Sequence, residues 1–216
     1  MHRSDYLIKI CGLNDRENIR AVLQLNPEMI GLIFYKPSPR CIQDDFEFPK
    51  VSHVSKLVGV FVDEDPSKVI DTALKFQLDY VQLHGNESAE VCLKLRDQGL
   101  GVIKAFQVGD RLPDTSLLSA YSKCTDYFLM DTRSPQYGGS GIQFDWSILA
   151  DYQGSVPLIL SGGIGPQDIS AIHAIDFPNI KGIDLNSKFE ITPGIKDISK
   201  LKSFFSQINQ YDHANI

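Results

Sequence analysis

The sequence predicts one (β/α)8 barrel, a TIM barrel of near-minimal length filling residues 1–216 as a single domain. Three observations carry this. Eight short apolar runs recur along the chain, at 6–10, 29–34, 57–62, 80–83, 101–106, 127–130, 157–160 and 182–185. Their near-continuous apolar character is that of strands buried on both faces of a parallel sheet. Segments with helix signals alternate with them, the pattern of eight β-then-α units in one domain. The rival, a doubly wound open sheet, usually has a G-x-G-x-x-G turn after its first strand, whereas here that strand leads into Lys9-Ile10-Cys11-Gly12.

Taken in order, the helices are of uneven quality. Asn14 and Glu17 have capping-box spacing, and Ile19, Val22 and Leu23 fall on one face behind them. The segment 43–55 has poor periodicity. Asp65-Pro66 puts proline at a first helical position, with Val69, Ala73 and Phe76 following. Asn86 is expected to cap the helix carrying Val91 and Leu95. The segment 113–123 is again weakly periodic. Gly165-Pro166 opens the seventh helix, and Ile198, Leu201, Phe205 and Ile208 form the apolar stripe of the last.

A net charge of −6 argues against a nucleic-acid-binding face, which is usually basic. An anionic ligand would need local positive potential from a few side chains and from helix N-termini. The four cysteines, Cys11, Cys41, Cys92 and Cys124, show no C-x2–4-C spacing, which points away from a zinc knuckle and a redox pair. Together with the absence of an apolar h-region near the N-terminus, this leads us to expect a cytoplasmic protein. No apolar stretch approaches the 18 residues of a membrane span. The expected partner is a small molecule rather than nucleic acid or membrane. A monomer is expected, with a dimer as the alternative.

In such barrels the active site lies at the C-terminal ends of the strands. That rule selects Cys11, Arg40, Asp63, His84, Gln107, Asp131, Ser161-Gly162-Gly163 and Asp184 through Ser187. Ser161, Gly162 and Gly163 follow the seventh strand, and Asn186 and Ser187 follow the eighth, where barrels often hold phosphate. Glycines there let backbone N–H groups approach an anion; the plainer reading is an ordinary turn. Gly138, Gly139, Ser140 and Gly141 follow the sixth strand and either close over a ligand or form a surface loop. Asp131 ends an apolar run, which tends to raise a carboxyl pKa and suits a general acid; capping of Thr132 or Arg133 explains it equally well. Cys11 is either a catalytic thiol or a small buried hydrophobe. Arg40, stiffened by Pro37 and Pro39, is a carboxylate ligand or a solvated loop residue. His84 is an accessory polar group or, the preferred reading, a satisfied buried histidine.

These segments together resemble phosphoribosylanthranilate isomerase across essentially the whole chain. The matching pieces are Lys9 through Gly12, Phe34 through Arg40, Val58 through Phe61, Val81 through Gly85, Asp131-Thr132, Gly138 through Gly141 and Ser161 through Gly163. The resemblance implies an Amadori rearrangement of N-(5′-phosphoribosyl)anthranilate in tryptophan biosynthesis, with no cofactor and no metal. It implies Asp131 as general acid, Cys11 as general base, Arg40 on the substrate carboxylate, Asp184 on sugar hydroxyls and the three glycine-bearing loops on the phosphate. One departure stands out: where the family has a glycine after the last strand, this chain has Lys188. Either the loop bends differently, or Lys188 adds a cation near the phosphate. The alternatives are another sugar-phosphate barrel enzyme, for which Lys104 would be an isolated catalytic lysine, and a catalytically silent phosphate-binding module.

Overall fold

The computed structural model describes residues 6–133 and 143–210. Eight parallel strands close into a barrel in chain order: β1 Leu7–Cys11, β2 Met29–Ile33, β3 Lys56–Phe61, β4 Tyr80–Leu83, β5 Gly101–Val108, β6 Tyr127–Thr132, β7 Leu158–Leu160 and β8 Ile180–Leu185. Pairing of β1 with β8 completes the ring, with Lys9 opposite Asp184. All eight expected runs are strands. β5 and β6 run two residues further than their apolar stretches, because Gln107-Val108 and Asp131-Thr132 continue the same ladder. Beyond β8 a short antiparallel hairpin, β9 Glu190–Thr192 with β10 Ile195–Lys196, precedes the last helix.

Alternation along each strand sorts the side chains into two layers. Inside the barrel lie Met29, Val58, Ile103, Ala105, Leu129 and Ile159, with Tyr80 and Tyr127 packed on them. Outside, a larger cluster that includes Ile10, Leu32, Phe61, Leu83, Phe128, Leu160, Ile183 and Leu185 meets the helices. The same period carries Cys11, His84, Gln107, Asp131, Ser161 and Asp184 to the inward side at the C-terminal rim. It places Lys104 outward, between Ile103 and Ala105.

The helices are α1 Arg16–Leu23, α2 Pro66–Phe76, α3 Ala89–Arg96, α4 Thr115–Tyr121, α5 Ile169–His173 and α6 Ile198–Gln210. Their buried faces largely follow the expected stripes: Ile19, Val22 and Leu23 on α1, and Val69, Ala73 and Phe76 on α2. In α6 Phe204 rather than Phe205 is fully buried with Leu201 and Ile208, its ring packed edge-on against Phe189. Two caps need correction. Asp15, not Asn14, caps α1, its carboxylate accepting from the Asn18 amide at 2.8 Å. Ser88, not Asn86, is the N-cap residue of α3, and the Asn86 amide instead donates to Asp63 Oδ1 at 2.6 Å. The weakly periodic segment 43–55 contains no helix; Phe46, Phe48 and Val51 pack it against the core. Between β6 and β7 the described residues hold only a 3-10 turn, Trp146–Asp151.

Candidate active site

The first part of the site is built by β1, β2, β7 and β8. Two inward side chains follow each other on β1: Lys9, with no exposed surface, and Cys11, 3% exposed. Gly31 on β2 stands beside Cys11 in register, and the space it leaves is filled by the thiol. Lys9 Nζ donates to Asp184 Oδ1 at 2.9 Å, and Ser161 Oγ donates to Asp184 Oδ2 at 3.4 Å. Burial, the largest influence, would lower the lysine's pKa, but the Asp184 carboxylate and the Cys11 sulfur together more than offset it and Lys9 stays a cation. For Cys11 burial dominates. It pushes the thiol above its ordinary value, against the downward pull of Lys9 and Lys196. Desolvation of a thiolate in this crevice outweighs the nearby cations.

The second part is built by β4, β5 and β6. Asp131 and His84 face each other, with His84 Nε2 at 3.2 Å from Asp131 Oδ2. Gln82 Nε2 lies 2.9 Å from His84 Nδ1, so the ring is held from below as well. Asp131 Oδ1 also accepts from the Thr132 amide at 3.0 Å. The carboxyl thus bonds the Thr132 amide, as the capping reading expects, and also meets His84, a partner the sequence did not indicate. A pocket of about 330 Å3 opens onto this pair and is lined by Gln107, Phe106, Leu117 and Tyr121 as well.

Arg40 reaches the rim from the loop after β2. Its Nε and Nη2 donate to the two Glu190 oxygens at 2.8 and 2.7 Å, and the side chains are only 12% and 5% exposed. It is neither a solvated loop residue nor a free cation. Glu190 Oε1 also accepts from Lys196 Nζ at 2.8 Å and from the Gly194 amide at 3.2 Å. Lys196 Nζ further donates to Asn186 Oδ1 at 2.8 Å.

The loops after β7 and β8 have the backbone their glycines suggest. Gly162 and Gly163 have φ of +91° and +68°, and a Cβ on Gly162 would sit 2.7 Å from the Thr132 amide nitrogen. Only glycine fits this approach without strain. Gly165 N donates to Asp168 Oδ2 at 2.7 Å, fixing the turn that opens the seventh helical segment. Ser187, Lys188 and Phe189 form a 3-10 turn with Phe189 buried. Lys188 has no positive φ and is exposed, so the loop bends in a way that a glycine is not needed for. Gly138, Gly139, Ser140 and Gly141 lie outside the described residues.

In this part of the site three charged groups with buried side chains escaped the strand-end reading: Lys9, Glu190 and Lys196. Lys9 carries a sequence signal, since it is a charge inside an otherwise apolar strand, two residues from Cys11. Glu190 and Lys196 lie past the last strand and carry none. Of the other rim residues, Asp63 braces the Asn86 turn, and Gln107 lines the pocket. Lys104 is fully engaged on the outer side of β5, donating to Gly85 O at 2.7 Å and Glu87 Oε2 at 3.0 Å. A lysine so placed is not a free amine at the rim.

Comparison with known proteins agrees with this geometry. The family described as N-(5′phosphoribosyl)anthranilate (PRA) isomerase matches residues 8–207. The N-(5′-phosphoribosyl)anthranilate isomerase of Parabacteroides distasonis is 46% identical over 206 residues, covering 94% of this chain and 93% of its own. The crystal structure of phosphoribosyl anthranilate isomerase from Thermotoga maritima superposes with a TM-score of 0.80 at 34% identity, over 94% of this chain and 98% of that one. Another structure of the isomerase, in complex with reduced 1-(o-carboxyphenylamino)-1-deoxyribulose 5-phosphate, is similar with a TM-score of 0.74 at 31% identity, over 94% and 98%. With the fold and nearly the full length in agreement, this chain belongs to the phosphoribosylanthranilate isomerase family.

Proposed function

We propose that the chain converts N-(5′-phosphoribosyl)anthranilate to 1-(2-carboxyphenylamino)-1-deoxyribulose 5-phosphate, an isomerisation in tryptophan biosynthesis. The observation that carries this reading is the pair Cys11 and Asp131. They lie on β1 and β6, 120 positions apart in sequence, and both face inward at the same rim. Asp131 delivers a proton to the furanose ring oxygen as the C1′–O bond breaks, and the anilino nitrogen forms an iminium with C1′. That cation acidifies the C2′ proton, and Cys11 removes it; the C–H electrons become the C1′=C2′ bond. The enolamine then ketonises, and a proton returns from Cys11 to Asp131 through solvent. No step calls for a metal or redox cofactor.

The surroundings support these roles. His84 holds Asp131 at 3.2 Å and so aims the acid. Lys9 places a fixed positive charge beside the base, which favours the thiolate at the moment it forms. The reacting form therefore pairs the Cys11 thiolate with Asp131 carrying the proton; burial of the thiol makes that form a minor one, and Lys9 opposes the burial. Asp184 stands above Lys9 at the sugar, and Arg40 keeps its outer guanidinium edge for the aryl carboxylate. Backbone donors of the loops bearing Gly139, Gly163 and Ser187 take the phosphate. The free thiols of Cys11, Cys41, Cys92 and Cys124 suit the cytoplasm, where the enzyme acts as a monomer. Complementation of a tryptophan auxotroph lacking this isomerase, together with turnover by the purified protein, tests the reading. A pure, folded protein without turnover would leave a silent phosphate-binding module as the better description.

A further inference from the structure

The Arg40 cluster contains two cations and one anion. Arg40 and Lys196 both bind Glu190, and the three side chains are 12%, 0% and 5% exposed. Burial pulls Lys196 down, while Glu190 opposes this. The Glu190 carboxyl stays below its ordinary value: burial would raise it, but Arg40 and Lys196 outweigh burial. In the charged state the group carries one uncompensated positive charge in a nearly dry site. Such a charge is costly unless an anion completes it.

The hydrogen bonds show where that anion belongs. Glu190 takes the Nε–Nη2 edge of Arg40, which leaves the Nη1–Nη2 edge as the second bidentate face of the guanidinium. Glu190 Oε1 is at the same time shared among Arg40, Lys196 and the Gly194 amide. Without Lys196, Glu190 would neutralise Arg40 outright. With it, Glu190 can orient the guanidinium rigidly and the pair still attracts an anion.

We propose that Lys196 is the positioning and specificity residue of this site: by dividing the charge of Glu190 it leaves Arg40 a net attraction for one carboxylate on the aryl group of the substrate. This rests on the reading of the site as an aryl-carboxylate pocket. Lys196 does not touch the substrate. It acts through Glu190, from the β10 hairpin behind the rim. The consequence is selectivity: the site favours an aryl carboxylate over its neutral carboxamide, and Lys196 is the residue that sets the margin.

The test uses the full chain and two probes: reduced 1-(o-carboxyphenylamino)-1-deoxyribulose 5-phosphate and its carboxamide counterpart, with affinities from calorimetry. Lys196→Met should weaken the carboxylate probe by roughly 10- to 100-fold, the range for losing a charge-assisted contribution, and leave the carboxamide within about twofold. Lys196→Arg, which keeps the charge, should restore the preference and keeps the question open to measurement if the methionine variant folds poorly. Equal weakening of both probes would show that Lys196 only supports the hairpin, and unchanged selectivity would overturn the proposal outright. Neither result resembles failure of the isomerase reading, which would appear as a wild-type protein that binds these probes poorly and does not turn over the phosphoribosyl substrate.

Discussion

Replacing Gly31 by alanine places a methyl group where the Cys11 thiol now lies. The added Cβ would sit 2.7 Å from Cys11 Sγ and 3.2 Å from its Cα. Ordinary carbon contacts begin near 3.5 Å, so the thiol has to give by about 0.8 Å. Cys11 is 3% exposed and is one bond long beyond its Cβ, so it can only rotate away or spread β1 from β2. Overpacking of this kind costs about 1–3 kcal/mol, which in a chain of this length lowers Tm by roughly 2–12 °C. The effect on catalysis is larger. A base displaced by nearly 1 Å loses on the order of 100-fold in rate. Turnover and thermal melting of Gly31→Ala, alone and combined with Cys11→Ala, test the reasoning. Removing the sulfur relieves the closest contact, so the melting penalty of Gly31→Ala should shrink in that background. Wild-type kcat in Gly31→Ala, or an undiminished melting penalty in the double variant, would refute the idea that this glycine exists to seat the thiol.

Cys11→Ala and Asp131→Asn should each lower kcat by roughly 10²–10⁴-fold, and steady-state kinetics should show losses that do not multiply in the double variant; near-normal turnover by Cys11→Ala would move the base elsewhere. Arg40→Ala should raise KM far more than it lowers kcat, since a charge-assisted contact worth roughly 1.5–3 kcal/mol is present in ground and transition states alike; an unchanged KM would count against it. The pH profile of kcat/KM should be bell-shaped. Cys11 is raised above the ordinary thiol value of 9.0, and carboxyl groups generally titrate well below thiols. Activity needs a thiolate and a protonated acid together, so between the two titrations the reactive fraction is flat. It falls at higher pH as Cys11 finishes ionising and the acid goes on losing its proton. The alkaline limb then belongs to Cys11 and lies above pH 9; Lys9→Met should move it further up, because the opposing cation is gone. A limb that stays in place in that variant would detach Lys9 from the base.

How far the sequence reaches can be judged from particular residues. All eight strands were legible because burial on both faces leaves a local trace, a short run of β-branched and aliphatic residues between turn signals. The faces of α1 and α2 were legible for the same reason. The caps of α1 and α3 were missed by one and two positions, since Asn14 stands next to Asp15 and Asn86 near Ser88, and each pair contains two good capping types. The helix-free segment 43–55 was signalled only by its weak periodicity. Among candidate site residues, position after a strand selected Cys11, His84, Asp131 and Asp184, which the strand alternation turns inward at the rim. It also selected Asn186, whose amide faces Lys196, and Asp63, which braces a turn.

What the sequence determined alone is the eightfold alternation and, through it, which side chains face the barrel axis at the rim. Those are consequences of a two-residue period and need no knowledge of distant partners. What only the tertiary structure decided is the pairing of charges: Lys9 with Asp184 across 175 positions, and Arg40 with Glu190 across 150. The state of Cys11 belongs there too, because desolvation depends on everything that closes over the thiol. Charges act through space, and their strength depends on the burial that the whole fold creates. No local pattern in the chain encodes either one.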